Sequence, residues 1–314
     1  MKSLIKLVIP HPIAESQRIV RWMAARRFRA LLHFGYALLP QQQKARAHAL
    51  FSTLFRNYDG HFKDGKWKID FCNRSVIIPL RCESAWIDWD MSLSLLGHDS
   101  DLTRFCGHLL HRARPRLVLD VGASYGQFSI RWLVHGVRTI SFEPNPRCHS
   151  YFRMLCHTNG VRYELVPVAL GSSEGTARLW FAPAEEWLGT TSGQRHQFDE
   201  QIQVAQRTLD GFVEEHNLKP DLLKIDAEAS DLVILHGSSR TLAKHRPLVL
   251  FESLNAGERS EFHRFLEQRE YAVCGVRLVN GQPKSLNIEQ FGTSVDLNFL
   301  GCPLELLKAW PPQF

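Results

Sequence analysis

Asp120, Glu143, Asp226 and Glu252 each close a short apolar, β-rich run. Acids that end strands gather at one edge of a parallel sheet, which is where open sheets bind ligands. The first acid is followed by Gly122 and Gly126, with Ala123 and Ser124 between them, and then by a helical pattern. A turn opened by glycine brings backbone against a ligand and exposes the N–H groups of a helix start. Glu143 follows Gly122 by 21 residues. At that distance the second strand of a βαβ unit delivers an acid to ribose hydroxyls. A carboxylate there repels a 2′-phosphate. The glycine pattern G-x-x-x-G lacks the third glycine of a pyrophosphate cradle, and no G-x-x-x-x-G-K-[ST] loop occurs. A nucleoside ligand without phosphates fits best, and S-adenosylmethionine is the obvious one. Taken alone, the turn reads equally as an ordinary strand–helix junction; the acids at matching strand ends favour the cofactor.

The elements that must position these residues follow from periodicity. From Arg116 onward, β-rich runs at 117–121, 138–143, 162–168, 221–226 and 247–252 alternate with helical spacing at 127–135, 146–158, 231–244 and 258–269. Such alternation predicts a parallel sheet with helices on both faces. Residues 176–206 interrupt it with two strands around a polar loop, and "YAVCGV" and "VDLNFLGCP" offer two more strands. Upstream, "KWKIDFCNRSVIIPL" predicts a hairpin turning at Asn73-Arg74, and residues 83–111 read as mostly helical around a loop at Gly97. Residues 14–57 read as helices divided by Pro40. The expected organisation is a basic helical and hairpin region over 1–100 and a ligand-binding domain over 101–314.

Seven short blocks resemble FkbM-type methyltransferases in the order "LDVGASYGQFS", "FEPNP", "VALGSSEG", "TLDGF", "LLKIDAEASDLVILHG", "RPLVLFE" and "NFLGCP", over about residues 115–303. The resemblance implies a class I, Rossmann-like S-adenosylmethionine-dependent fold. Its mostly parallel sheet has seven strands, the last two antiparallel. It also implies O-methylation of a hydroxyl on a sugar, glycan or natural product. By the same resemblance Asp120, Gly122 and Gly126, with Ala123 and Ser124 between them, line the methionine part. Glu143 holds the ribose, Asn145 lies near it and Ala169 flanks the adenine. Asp226 faces the sulfonium and the acceptor. Where the family usually has Glu-Gly, this chain has Glu228-Ala229; a left-handed conformation at Ala229 would cost on the order of 1 kcal/mol.

Methyl transfer is an in-line displacement that needs an aligned acceptor and a group to take the hydroxyl proton. Asp226 and Glu228 are two residues apart and point the same way if the strand persists. One could be the base, both could ligate a divalent cation that lowers the hydroxyl pKa, or Asp226 could only bind the cofactor's amino group. Lys224 is in register with Asp226 and neutralises it. Arg195 and His196 lie in a polar loop that could reach an acceptor, although such loops carry His by default. "CHSYFRMLCH" (148–157) is no zinc site, because Cys148 and Cys156 on one helix stand about 12 Å apart along its axis. Trp86 and Trp89 read as core.

Composition bounds the setting. Of 314 residues 44% are hydrophobic, which suffices for one large domain with an appendage. Seven cysteines without a C-x-x-C pair fit a reducing cytoplasm better than a disulfide framework. No run of 18 apolar residues predicts a membrane span, and "MKSLIKLVIPHP" makes a poor signal peptide. Residues 1–57 hold ten Lys or Arg and one acid, Glu15; that +9 against +6 for the whole chain leaves −3 for the rest. Arg18, Arg21, Arg26 and Arg29 share a helical face opposite Ile19, Val20, Met23, Ala30, Leu31 and Phe34, but Arg27 breaks the apolar face and Trp22 and Leu32 fall among the arginines, so the segment is only moderately amphipathic. The face reads either as a solvated side of a packed helix or as a contact to an anionic membrane. The second option makes the protein peripheral at the inner membrane face. A basic arm also fits RNA methylation, but no N-P-P-Y-like block stands at the fourth strand end, and this argues against nucleic acid. A catalytically silent adaptor that keeps the fold is the rival from outside enzymes.

Overall fold

A computed structural model describes residues 31–50 except 33, 37, 41, 42 and 45, and residues 61–182, 185–191, 200–253 and 256–311. The chain divides into two units, one of residues 1–69 and 77–100, the other of residues 70–76 and 101–314.

In the smaller unit, the described residues at 31–38 and 43–50 are helical on either side of Pro40. Two strands follow along the chain, β1 (Gly65–Phe71) and β2 (Arg74–Leu80), and residues 70–76 around their turn count with the larger unit. Their turn sits one residue earlier than expected: Cys72 and Asn73, with φ of 49° and 66°, supply the left-handed pair that a two-residue hairpin requires. Helix α1 (Ala85–Leu95) carries the buried Trp89, which packs on Trp67 with ring centroids 4.9 Å apart.

The larger unit begins with α2 (Ser100–Arg112) and the all-buried β3 (Leu117–Val121). Next come α3 (Ser129–Leu133), β4 (Arg138–Phe142) and α4 (Pro146–Thr158). The last of these is started by Asn145, whose side chain accepts from Arg147 N, with proline at the first helical position. Short strands β5 (Glu164–Val166) and β6 (Ala169–Leu170) lead into β7 (Gly175–Ala182), β8 (Glu185–Thr190) and β9 (Glu200–Arg207). After α5 (Leu209–Glu215) and β10 (Leu222–Ile225), the expected single helix is broken at Gly237 and Ser238 into α6 (Asp231–His236) and α7 (Ser239–His245). The chain ends with β11 (Leu248–Glu252), α8 (Arg259–Glu267), β12 (Tyr271–Val279), β13 (Gln282–Ser285), α9 (Ile288–Thr293), β14 (Asn298–Pro303) and α10 (Leu304–Lys308).

The main sheet runs β13-β12-β14-β11-β10-β3-β4-β5. Its five strands from β11 to β5 are mutually parallel, and β14, β12 and β13 are antiparallel additions. Eight strands rather than seven result, because β13 folds back on β12 at the edge. The chain leaves β3 toward β4 on one side and returns to pair β10 on the other, so the order reverses at β3. Apolar side chains of both layers close on this sheet, with Phe142 edge-on to Phe212 and Phe251 stacked on Phe262. A second sheet, β6-β9-β7-β8, is built from the 169–207 insertion. Its strand β8 falls where the sequence reads as polar loop.

Candidate functional site

The strand order reverses at β3, so the carboxyl ends of β3, β4 and β10 open a cleft there. It opens to solvent and, with its open mouth counted, spans about 720 Å³. Gly122, Ser124, Glu143, Ala169, Asp226 and Glu228 line it together with Gln127, Val168, Leu170, Leu179 and Ile234.

The turn after β3 is shaped by chain crossing. Gly122 has φ of 74°, and a Cβ on it would lie 1.9 Å from the carbonyl oxygen of Asp226. Glycine is thus demanded by the backbone leaving β10. Both Gly122 N and Ala123 N donate to Phe142 O at 3.0 Å, which fixes the turn to the end of β4. Gly126, with φ of 95°, stands against the ring of Phe152, 2.8 Å from where a Cβ would be. It shapes the helix start rather than the cleft wall. Ala123 is buried in that packing, beside Phe152 and Leu133.

Glu143 is only 7% exposed and ends β4 at the cleft. Ser124 N donates to its Oε2 and Asn145 N to its Oε1, each at 2.7 Å. Asn145 is buried, serves as the cap of α4, and reaches the site through this backbone N–H. Burial pushes the Glu143 carboxyl up to about 7, against the pull of the two N–H groups. Among the described residues no ion pair neutralises it. Each oxygen keeps a lone pair after its backbone bond, so the group can accept two more donors. Phe142, Val168, Ala169, Leu170, Leu179 and Ile234 provide an apolar slot beside it.

Asp120 does not line the cleft. It is fully buried beneath it, accepts a short hydrogen bond from Ser129 Oγ, and lies 3.5 Å from Lys224 Nζ. Lys224 Nζ also stands 3.2 Å from Asp226 and donates to Gly122 O at 3.3 Å. Burial alone would lower the lysine pKa, but the Asp226 and Asp120 carboxylates outweigh it and hold the ammonium charged. The sequence pairs Lys224 with Asp226; the structure adds that one lysine bridges a buried acid and a partly exposed one.

The other end of the cleft is acidic. Ile225 is in register with Phe251, so Asp226 and Glu252 leave the sheet side by side. Asp231, at the start of α6, is pushed up to about 7 by burial and by the nearby Asp226. Glu252 is also raised, by burial and then by Asp226, Glu228 and Asp231. Among the described residues, no three of His, Cys, Asp and Glu are grouped as a metal site. Glu228 and Ala229 both adopt left-handed conformations, with φ of 51° and 72°. The strain expected at Ala229 therefore exists, and a neighbour holds it. Thr190 Oγ1 donates to Glu228 O at 2.6 Å, and Thr191 Oγ1 meets Ser230 Oγ at 2.8 Å. The inserted sheet thus reaches from Ala169 and Leu170 at one end of the cleft to the 228–230 turn at the other. Its β9 is tied to α4 by the Arg147–Glu200 ion pair at 2.6 Å. Sequence reasoning missed Thr190, Thr191 and Ser129, since lone hydroxyls in a presumed loop or helix carry no spacing signal. Arg195 and His196 lie outside the described residues.

A family model described as the methyltransferase FkbM domain matches residues 120–276. No curated protein matches the chain. Among solved structures it is similar to a methyltransferase FkbM from Methylobacillus flagellatus KT, at 14% identity over 69% of this chain and 54% of that one, with a TM-score of 0.42. It is also similar to a precorrin-6y C5,15-methyltransferase from Geobacter metallireducens GS-15, at 16% identity over 63% and 82% of the two chains, with a TM-score of 0.34. A third likeness is to the tRNA (uracil-54, C5)-methyltransferase of Pyrococcus abyssi, in complex with S-adenosyl-L-homocysteine, at 10% identity over 75% and 43%, with a TM-score of 0.35. The chain spans about half the length of the first of these.

Proposed function

The chain belongs to the FkbM methyltransferase domain family, and on that premise we propose that it transfers the methyl group of S-adenosylmethionine to a hydroxyl of a sugar, glycan or natural product. The observation that carries the cofactor half is Glu143. A carboxylate this deeply buried, with two backbone donors and no ion-pair partner in contact among the described residues, is short of hydrogen-bond donors. Two vicinal ribose hydroxyls supply them, and the adjacent apolar slot accepts a planar base. The residues present therefore fit the cofactor.

Bound there, S-adenosylmethionine supplies an electrophilic methyl group on a sulfonium that leaves as a neutral thioether. Glu143 orients the ribose end. Gly122 and Ser124, on the turn fixed to Phe142 O, form the backbone wall beside it. Asp226, partly exposed in the cleft and held by Lys224 at 3.2 Å, receives the acceptor's hydroxyl proton. Glu228 stands on the same turn and lines the same cleft. Lys224 keeps Asp226 from recoiling against the other acids and so fixes its position. The hydroxyl specificity rests on the acid-rich acceptor end, which suits proton removal from an alcohol.

Incubation of the protein with S-adenosylmethionine labelled in the methyl group and a panel of glycans and polyhydroxylated natural products tests this reading. The expected product gains one CH2 and survives mild base, as a methyl ether does and an ester does not. Label found only on nitrogen, carbon or carboxylate would overturn the hydroxyl assignment.

A further inference from the structure

The described helical residues between 31 and 50 present an exposed apolar face. Leu31, Phe34 and Leu38 are 65, 67 and 68% exposed. Their spacing of three and four residues places them on one side of a helix. The other side is tied down within the same unit. Tyr36 is buried, and its hydroxyl bonds His98 Nδ1 at 3.0 Å. Lys44 Nζ donates to Gly97 O at 2.9 Å and lies over the Tyr36 ring, and His48 pairs with Asp90. A fixed inner face thus holds the apolar stripe outward, and Leu50 adds a further exposed leucine after Pro40.

Large apolar side chains grouped on a surface mark an interaction site. The charge of the segment indicates what covers it. Residues 1–57 carry ten Lys or Arg against Glu15 alone, and Arg26, Arg27 and Arg29 all fall within five residues of Leu31. Nucleic acid would use the charge but has little use for a stripe of leucine and phenylalanine. A bilayer with anionic headgroups uses both, because apolar side chains enter the acyl boundary while cations meet the headgroups. We propose that this segment docks the protein on an anionic lipid bilayer, with Leu31, Phe34 and Leu38 facing the membrane.

Co-sedimentation of the full chain with vesicles tests the proposal. Two vesicle types serve: phosphatidylcholine alone, and phosphatidylcholine with phosphatidylglycerol. The protein should pellet with the anionic vesicles at low salt, at least about tenfold less with neutral ones, and less again at high salt. Leu31→Ser, Phe34→Ser and Leu38→Ser together should leave it in the supernatant, with S-adenosylhomocysteine binding unchanged. Arg26→Gln, Arg27→Gln and Arg29→Gln together should remove the preference for anionic vesicles; if the serine variant fails to fold, this variant decides alone. Pelleting of the variants equal to wild type, or no pelleting of wild type, overturns the proposal. So does a wild-type dimer without vesicles that the serine variant dissociates, since the stripe would then be a contact between copies.

Discussion

Glu143→Gln separates a buried functional charge from a merely structural one, because function and stability respond to it in opposite directions. Burial raises the carboxyl from 4.5 to about 7. The folded protein therefore binds the proton more tightly than the unfolded chain. The stabilisation from that proton is complete below the unfolded value and is lost as pH rises through the interval. That rise amounts to roughly 3 kcal/mol. Most of this falls between pH 5 and pH 8. The glutamine variant has no titration there. Its amide nitrogen must face one of the two backbone donors, from Ser124 or Asn145, which adds a pH-independent offset of about 1–3 kcal/mol. The slope with pH is therefore diagnostic and the offset is not. Urea unfolding without cofactor at pH 5, 6, 7 and 8 should show wild type losing about 2–3 kcal/mol more than the variant over that range. Asp231 and Glu252 are raised in both proteins, and their contributions cancel in the difference. Affinity for S-adenosylhomocysteine runs the other way. Wild type should bind about tenfold more weakly per pH unit below 7, since the ribose needs the carboxylate. The variant should be insensitive to pH and about a hundredfold weaker at pH 8. Parallel stability slopes for the two proteins, or wild-type affinity unchanged from pH 7 to pH 5, would refute the reasoning.

Asp226→Asn should lower the single-turnover rate far more than cofactor affinity, as a proton acceptor requires; a matched fall in both would make it a cofactor anchor. Activity that survives EDTA would remove the divalent-cation version while leaving the base. Gly122→Ala should destabilise the fold by more than about 3 kcal/mol, since its Cβ would lie 1.9 Å from Asp226 O at a φ of 74°; a folded variant that merely binds cofactor weakly would show that ligand approach, not chain crossing, demands the glycine. Thr190→Val should cost about 1–3 kcal/mol by leaving Glu228 O without its hydroxyl donor, and Ala229→Gly in that background should return about 1 kcal/mol by relieving the left-handed residue. Chemical unfolding of the two single variants and the double variant measures the coupling, and strict additivity would contradict it.

Much of the framework was legible because periodicity and end signals are local. The five parallel strands sit within the predicted runs, and α4 matches 146–158 because Asn145 and Pro146 mark its start. The acids at strand ends were legible too, since a parallel sheet brings all such ends to one edge. Features that depend on contact between distant segments were not. Strand β8 reads as polar loop, yet it pairs with β7 and carries Thr190 to the 228–230 turn. Gly122 reads as a ligand-facing glycine, whereas the backbone of Asp226 decides it. Asp120 reads as a cleft residue, but Lys224 and Ser129 hold it underneath. The order of βα units and the residues that end each strand can be read from the amino acids, because side-chain period and turn chemistry act over a few positions. Which of those acids face the cleft, and which is buried as a counter-charge, emerges from the folded chain alone. That depends on strand register and on chain crossings between residues about a hundred positions apart.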